Sequence, residues 1–223
     1  MEITLKEKFI LLAMNPQKGT NLIPTFIGHG IAGAILLELA GLKKVNIEDN
    51  RIIVTDSKRT GDEQLDLVLA YLKDAGKPLK VKTIINKFQG KASKIKKPLL
   101  AGLVNKRFLH RNEKRFLFFK YNLYPSANRK YRDDLIEHIR RLILRDIKSD
   151  DDIPLLAGLT GATQLFTKFF RDRKERKLAR QRVKQIVKEN EIEGAIDETV
   201  KAVQAAIAVS IATTAVVATS SSH

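Results

Sequence analysis

Apolar side chains recur along this chain mainly at the three-to-four-residue spacing of amphipathic helices. Thr4 followed by Glu7 matches a capping box and predicts a first helix, which ends at Asn15-Pro16. Between residues 129 and 147 the apolar positions fall on one helical stripe with arginines opposite, which predicts a helix that covers a core. Further helices are predicted at 31–42, after the cap Thr60-Gly61-Asp62, and at 81–88, 96–105, 155–165 and 172–188.

Two β-hairpins are predicted between the helices. Their strand, turn and strand segments are 45–47, 48–50 and 51–55 in the first, and 107–110, 111–114 and 115–121 in the second. Each hairpin follows a helix, and the two helices share a similar segment, Leu39-Ala40-Gly41-Leu42 in the first and Leu100-Ala101-Gly102-Leu103 in the second. The similarity arises either from internal duplication or from two similar ways of packing a helix on a hairpin. We therefore predict a mainly α fold over a single domain, residues 1–223. It is a helical core bundle surrounded by amphipathic helices with one or two β-hairpins, in winged-helix-like local units.

The two ends of the chain predict a protein without a membrane-spanning segment. Residues 202–218 are uncharged but rich in Ala and Thr, and they fall short of the roughly 20 strongly apolar residues of a span, so a buried core helix is favoured over a tail anchor or a surface helix. The N-terminus lacks the basic-then-apolar order of a signal peptide. Since there are also no cysteines, disulfides and zinc–thiolate sites are excluded, and a cytoplasmic protein is expected.

Positive charge is concentrated in two blocks of this chain, whose formal net charge is +16. Residues 77–115 hold thirteen Lys or Arg against one acidic residue, Glu113. Residues 171–188 hold nine Lys or Arg against Asp172 and Glu175, directly after an aromatic run at 165–170. A folded chain of this charge predicts an anionic partner, either nucleic acid or the surface of an anionic membrane.

The patterns that suggest catalysis have simpler explanations. The stretch from Gly28 to Gly33 matches the dinucleotide fingerprint G-x-G-x-x-G, but no strand–helix alternation follows it, so close helix packing is the preferred reading. The four histidines stand far apart, and Asp150-Asp151-Asp152 reads as an acidic helix cap. No enzyme activity, metal site or cofactor is expected.

Six short motifs occur in order along nearly the whole chain. They are Ile3-Thr4-Leu5-Lys6-Glu7-Lys8-Phe9-Ile10-Leu11-Leu12, Gly30-Ile31-Ala32-Gly33-Ala34-Ile35-Leu36-Leu37-Glu38-Leu39-Ala40, Thr60-Gly61-Asp62 with Leu65-Asp66, Leu103-Val104-Asn105-Lys106 with Phe108-Leu109, Arg182-Val183, and Val203-Gln204-Ala205-Ala206-Ile207. Each motif is weak alone, but in this order they resemble the Golgi phosphoprotein 3 family of phosphoinositide-binding peripheral membrane proteins.

The resemblance implies a helical core, a β-hairpin and a basic face toward the membrane. Eukaryotic members of the family also recognise phosphatidylinositol 4-phosphate, help to retain glycosyltransferases in the Golgi and contact the COPI coat, so the resemblance raises these functions as expectations. Because the printed sequence starts at the family's first helix, contact with the coat through the family's basic N-terminal extension is not expected. The chain departs from the family at the headgroup pocket as well: it has no tryptophan, and Ile23 falls nearest that position, with Phe26 close by. Ala32, Ser93 and Lys96 stand at the positions of three pocket arginines. The resemblance therefore implies anionic-lipid binding of modest selectivity.

The leading hypothesis is a non-enzymatic, cytoplasmic protein that docks on the cytoplasmic face of an anionic membrane. It would act as an adaptor for membrane-protein clients and could form a homo-oligomer. The residues expected to bind lipid headgroups are Lys91, Lys94, Lys96, Lys97, Arg111, Lys114, Arg115, Arg171, Arg173 and Lys174.

Two rival functions remain open at this point. A winged-helix nucleic-acid-binding protein would use residues 94–106 as its recognition helix and residues 111–115 as its wing. That helix offers few of the side chains that read base edges. A nucleotide-dependent enzyme rests only on the glycine pattern.

Overall fold

The computed structural model describes residues 2–145, 152–170, 172–189 and 201–208, and it is mainly helical, as predicted. Its elements in chain order are α1 Leu5–Ala13, α2 Ile27–Gly41, β1 Val45–Glu48, β2 Arg51–Val54, α3 Glu63–Asp74, β3 Leu79–Lys80, α4 Val81–Gln89, α5 Ala92–Asn105, β4 Asn112–Phe116, β5 Phe119–Leu123, α6 Arg129–Arg145, α7 Ile153–Ala162, a 3-10 turn Leu165–Lys168, and α8 Arg173–Glu189. Residues 201–208 are also helical.

Two helices, α1 and α2, form the centre of the core. Every residue of α1 is buried, and nearly every residue of α2 is buried as well. Helix α2 begins at Ile27 rather than at the predicted residue 31, because it continues through the glycine-rich stretch. A side chain at Gly30 would overlap the ring of Phe9, and a Cβ at Gly33 would lie 2.6 Å from Cδ1 of Ile207. The glycines therefore serve close helix packing, and the fingerprint reading of this stretch as a dinucleotide loop is wrong.

Charged residues inside the core pair with one another across elements. Nζ of Lys6 in α1 lies 2.6 Å from Oε2 of Glu38 in α2 and 2.8 Å from Oδ2 of Asp62, which caps α3. The neighbouring Glu7 accepts the Thr4 backbone N–H at 2.9 Å, as the capping box predicted, and also accepts Nζ of Lys106 at 2.8 Å. Helix α1 is thus tied to α2, to the start of α3 and to the end of α5.

The first predicted hairpin is confirmed. Strands β1 and β2 pair antiparallel, with Glu48 opposite Arg51, and the turn residues Asp49 and Asn50 both adopt positive φ, as a tight hairpin turn requires. A third strand, β3, pairs with β2 and was not predicted, since it is only two residues long.

The register of the second predicted hairpin is wrong. The residues expected to turn, 111–114, lie mainly in strand β4, and the turn falls instead at Leu117 and Phe118. The prediction placed the turn at 111–114 because these residues are polar, and polar residues usually form turns. All five residues of β4 are exposed, so no buried face fixes the register as burial does in a packed sheet.

Helices α6, α7 and α8 close the other side of the core. The predicted stripe of α6 is confirmed at Leu135, Ile139, Leu142 and Ile143, which are buried. Within 201–208, Val203 and Ile207 are buried, as expected of a core helix, and the remainder of the predicted C-terminal helix lies outside the described residues. None of the helices in the described ranges is long and apolar enough to cross a membrane.

Candidate functional site

A pocket of about 550 Å³ opens between the α1–α2 loop, the first half of α5 and the end of β5. We call it the α5 pocket. Helix α5 contributes Lys96 and Lys97, with Ser93 one turn earlier. Leu100, also on α5, lines it as well. The α1–α2 loop and the end of β5 contribute the rest: Met14, Gly19, Thr20, Asn21, Pro24, Asn122, Leu123 and Tyr124.

The loop wall of the α5 pocket is held against the hairpin by backbone contacts. The Tyr124 backbone N–H donates to the Gly19 carbonyl oxygen at 2.9 Å. Gly19 has φ +68°, and a Cβ there would lie only 2.5 Å from N of Pro125, so this close approach requires glycine. The Ser126 N–H donates to the carbonyl of Pro16 at 3.0 Å. The pocket therefore has two walls that are joined at one end.

Lys96 is the half-buried cation of this pocket. Burial lowers its pKa below the ordinary lysine value, and no carboxylate within the described ranges forms an ion pair with it. This contrasts with Lys6 and Lys8, which are buried but paired with Asp or Glu. A desolvated ammonium without a counterion favours an anionic ligand, because the ligand supplies the missing charge.

Arg111 lies beside the α5 pocket. A smaller cavity of about 140 Å³ is lined by Arg111 together with Lys97, Asn122 and Tyr124, which also line the α5 pocket. Nε of Arg111 donates to Oδ1 of Asn122 at 3.1 Å, which holds the guanidinium against the hairpin. The structure thus brings together three of the predicted site residues, Lys96, Lys97 and Arg111.

The other predicted residues of the first basic block lie outside the pocket. Lys91 and Lys94 are exposed at the start of α5, where Nζ of Lys91 stands 5.7 Å above the ring of Phe88. Lys114 and Arg115 are exposed on β4. None of these four residues lines the pocket.

The tip of the second hairpin is the most exposed apolar feature among the described residues. Phe116, Leu117, Phe118 and Phe119 follow one another there, and Phe118 is 88% exposed. We call these four residues the apolar tip. Sequence reasoning missed it, because an apolar run was taken as the inner part of a strand. The signal was that basic residues flank the run on both sides.

The second basic block lines a groove of about 940 Å³ along α8, which we call the α8 groove. The predicted residues Arg173 and Lys174 line it, and Arg171 lies outside the described residues. Three further cations, Arg176, Lys177 and Arg180, also line it and were not singled out from the sequence.

A cavity of about 250 Å³, lined in part by the α1–α2 loop, adjoins both basic regions. It shares Pro24 with the α5 pocket, and it shares Gln164 and Thr167 with the α8 groove. The loop that contains Pro24 is therefore next to the α5 pocket, and the cavity that this loop lines extends to the α8 groove.

The positions where the chain departs from the resemblance divide into two kinds. Ser93 and Lys96 line the α5 pocket, whereas Ile23 and Ala32 are buried and do not. Of these four positions, Lys96 alone places a cation in the α5 pocket, while Lys97 lines the pocket and Arg111 lies beside it.

Comparison with known families gives one result that covers both basic regions. The model of a family described as Golgi phosphoprotein 3 (GPP34) matches residues 5–207. The match begins at the first residue of α1 and extends beyond α8, so the α5 pocket, the apolar tip and the α8 groove all lie inside it.

Proposed function

The chain belongs to the Golgi phosphoprotein 3 family, and from that premise we propose that it is a non-enzymatic peripheral membrane protein. It binds the phosphate of an anionic lipid headgroup, such as that of a phosphoinositide, in the α5 pocket, and it serves as an adaptor for membrane-protein clients. The observation that carries the proposal is Lys96, a half-buried cation in a pocket without a carboxylate partner among the described residues.

Electrostatics favours a phosphate as the ligand of this pocket. Lys96 and Lys97 line it, and Arg111 stands next to it, held by Asn122. A phosphate would restore the charge balance that burial removes from Lys96. Attraction of a basic residue to an anionic leaflet contributes about 1 kcal/mol, so this small group supports reversible docking.

The apolar tip supports a membrane as the source of that phosphate. The tip is on the same hairpin whose far end closes the α5 pocket at Asn122 and Tyr124. Aromatic and aliphatic side chains enter the boundary between headgroups and acyl chains, while neighbouring lysines and arginines meet the phosphates. Lys114 and Arg115 on β4 precede the tip and are suited to that second role.

Selectivity among anionic lipids is expected to be modest. Lysine is a compact point charge, whereas arginine presents a planar fork that binds a phosphate in a fixed geometry. Within the α5 pocket the lining cations are lysines, and Arg111 lies in the side cavity. The pocket is therefore expected to bind any headgroup with enough negative charge. It should discriminate little between different arrangements of phosphates on the inositol ring.

The structure weakens the argument for the winged-helix alternative. Residues 111–115, the predicted wing, lie in and next to strand β4 rather than in the turn. The turn is Leu117-Phe118, whose side chains offer no charge to a phosphate backbone. A wing that contacts DNA gains affinity from phosphate contacts, so an apolar turn suits lipid better than nucleic acid.

Vesicle co-sedimentation at about 0.15 M salt tests the proposal, because loose charge pairing is screened under these conditions. The test variant is Lys96→Gln with Lys97→Gln. The matched control is Lys73→Gln with Lys77→Gln, which removes the same charge from two exposed lysines that line neither the α5 pocket nor the α8 groove. Loss of two headgroup contacts should weaken binding about thirtyfold, or about 2 kcal/mol, and the control should lose far less.

Three results would contradict the proposal. The wild-type protein could fail to bind anionic vesicles, the two variants could lose binding equally, or duplex DNA could abolish binding regardless of lipid composition. The first excludes membrane docking, the second leaves only net charge as the cause, and the third favours the nucleic-acid alternative.

A further inference from the structure

The α8 groove has its own set of cations, separate from those of the α5 pocket. Arg173, Lys174, Arg176, Lys177 and Arg180 line it, and all five are exposed. None of them forms an ion pair with a carboxylate in the described part of the chain. Five neighbouring like charges repel one another, so such a cluster is stabilised by an anionic ligand.

The acidic residue inside the first turn of α8 is directed away from the groove. Glu175 accepts a hydrogen bond from Nη2 of Arg140 on α6 at 3.1 Å, and Arg140 also donates to the carbonyl of Phe169 at 2.9 Å. The same guanidinium stands 5.0 Å from the centroid of the Phe170 ring. Arg140 therefore neutralises Glu175 on the α6 side, and Glu175 does not line the groove.

Asp172 is the groove's acidic lining residue, and it serves the helix start. Its Oδ2 accepts the Glu175 N–H at 3.4 Å, and its backbone carbonyl accepts the Arg176 N–H at 3.0 Å. A carboxylate at this position offsets the partial positive charge of the helix N-terminus. The groove consequently keeps five cations against one carboxylate that is already engaged.

Polar groups of the preceding 3-10 turn form the boundary of the groove toward the α1–α2 loop. Gln164 has φ +60°, and its carbonyl accepts the Thr167 hydroxyl at 2.8 Å. Both residues also line the cavity behind Pro24. The α8 groove and the α5 pocket are therefore linked by one cavity, which shares lining residues with each of them.

We propose that the α8 groove is a second headgroup site, which binds the phosphate of a second anionic lipid in addition to the one in the α5 pocket. The inference rests on the proposed function, because it takes the membrane as the common source of both headgroups. Arg173, Arg176 and Arg180 supply bidentate donors for phosphate oxygens, and Lys174 and Lys177 add point charges. Among the described residues, no arginine lines the α5 pocket, so the second site is the more geometrically selective of the two.

Two headgroup sites on one protein change how binding depends on lipid composition. Once one headgroup is bound, the second is captured from the same membrane at a high effective concentration. Binding should therefore rise with about the second power of the mole fraction of anionic lipid. Loss of either site should reduce the dependence to about the first power.

The test combines vesicle binding with a stoichiometry measurement. Vesicles of phosphatidylcholine with a graded fraction of phosphatidylinositol 4-phosphate give the order of the dependence. Titration calorimetry with a dioctanoyl form of the same lipid, below its micelle concentration, gives the number of molecules bound per chain. The test variant is Arg176→Gln with Lys177→Gln, compared with the α5 variant Lys96→Gln with Lys97→Gln and with the control Lys73→Gln with Lys77→Gln. Unchanged melting temperatures establish that each variant is folded.

We expect two lipids per chain for the wild type and the control, and one for each site variant. The α8 variant should also bind vesicles at least about thirtyfold more weakly than the wild type. One lipid per chain in the wild type, with an α8 variant that binds vesicles normally, would overturn the second site and leave the proposed function intact. An α8 variant that loses duplex DNA binding but keeps two lipids would also overturn it. A wild type that ignores anionic vesicles would instead overturn the proposed function.

Discussion

Nζ of Lys6 lies 2.6 Å from Oε2 of Glu38, in a place where only 1% of the lysine side chain is exposed. Oδ2 of Asp62 lies 2.8 Å from the same ammonium. Burial alone lowers the pKa of Lys6, but the attraction of the two carboxylates outweighs it and holds the pKa above the ordinary value. Burial likewise raises the pKa of Glu38, with Lys6 opposing it. Each of the three residues belongs to a different sequence motif, so the cluster joins the motifs in space.

Replacing Lys6 by Met should destabilise the fold strongly. It would leave the carboxylates of Glu38 and Asp62 without their cation in a buried position, and breaking a buried pair typically costs about 3–5 kcal/mol. Chemical denaturation measures the change. Lys130→Met is the matched control, because Lys130 pairs with Asp134 on the exposed surface of α6, and its midpoint should stay at the wild-type value. Equal midpoints for the two variants would contradict the structural role of the cluster.

The same cluster explains which features the sequence could predict. Glu7 and Lys106, which lie in the first and fourth motifs, also pair, at 2.8 Å. Residues of different motifs therefore form ion pairs with one another, which explains why the order of the motifs predicts the fold. Apolar spacing and capping residues predicted α1, α3, α4, α6 and α8, because each of these helices has a cap or an apolar stripe that is set by its local sequence.

Sequence reasoning found less of the candidate site, for a physical reason. The α5 pocket is lined by both Asn21 and Tyr124, which are more than a hundred residues apart in the sequence and share no local pattern. The basic residues were found because they are clustered along the sequence, and such clusters can be recognised without a structure. The apolar tip was missed because the register of an exposed hairpin is set by neither burial nor spacing.

Acid should destabilise this protein through His29. Burial lowers the pKa of His29, whose two ring nitrogens have no hydrogen-bond partner among the residues that the structure describes, and Phe26 contacts the ring edge-on. The unfolded chain therefore binds a proton at a higher pH than the folded chain. Stability is fully present above the unfolded pKa of about 6.5 and is lost as pH falls from there through the lowered folded value.

Replacing His29 by Leu should flatten this dependence. Urea denaturation at a series of pH values from 7.5 to about 5 measures it. His138→Gln, an exposed change on α6, should keep the wild-type slope. If His29→Leu shows the same loss of stability with acid as the wild type, another group is responsible.

The apolar tip should contribute to vesicle binding without contributing to stability. Phe118→Asp changes a side chain that is 88% exposed, so the melting temperature should stay within about 1 °C of the wild type. Vesicle binding should fall at least about tenfold, because the carboxylate cannot enter the headgroup boundary and is repelled by anionic lipid.

Leu67→Asp provides the matched control for the tip, since Leu67 is 45% exposed on α3. It introduces the same charge and should bind vesicles nearly as well as the wild type. Sedimentation velocity of Phe118→Asp separates the two roles an exposed apolar tip can have. A wild-type oligomer that becomes a monomer in the variant, with vesicle binding unchanged, would assign the tip to self-association instead.

Vesicle binding should also weaken as pH rises, through Lys96. Burial lowers the pKa of Lys96, so its ammonium loses a proton at a lower pH than an exposed lysine, and only the charged form attracts a phosphate. A bound anion favours the charged form and raises this pKa, so affinity must fall as pH rises through the lower value of the free protein.

Lys96→Met removes the charge and should weaken binding about fivefold at neutral pH. It should leave a smaller decline between pH 7.5 and about 10 than the wild type shows. Lys73→Met, on the exposed surface of α3, should retain the wild-type affinity and the wild-type decline. A decline of equal size in Lys96→Met would mean that the pH dependence comes from the exposed lysines, and that the half-buried ammonium does not contact the headgroup.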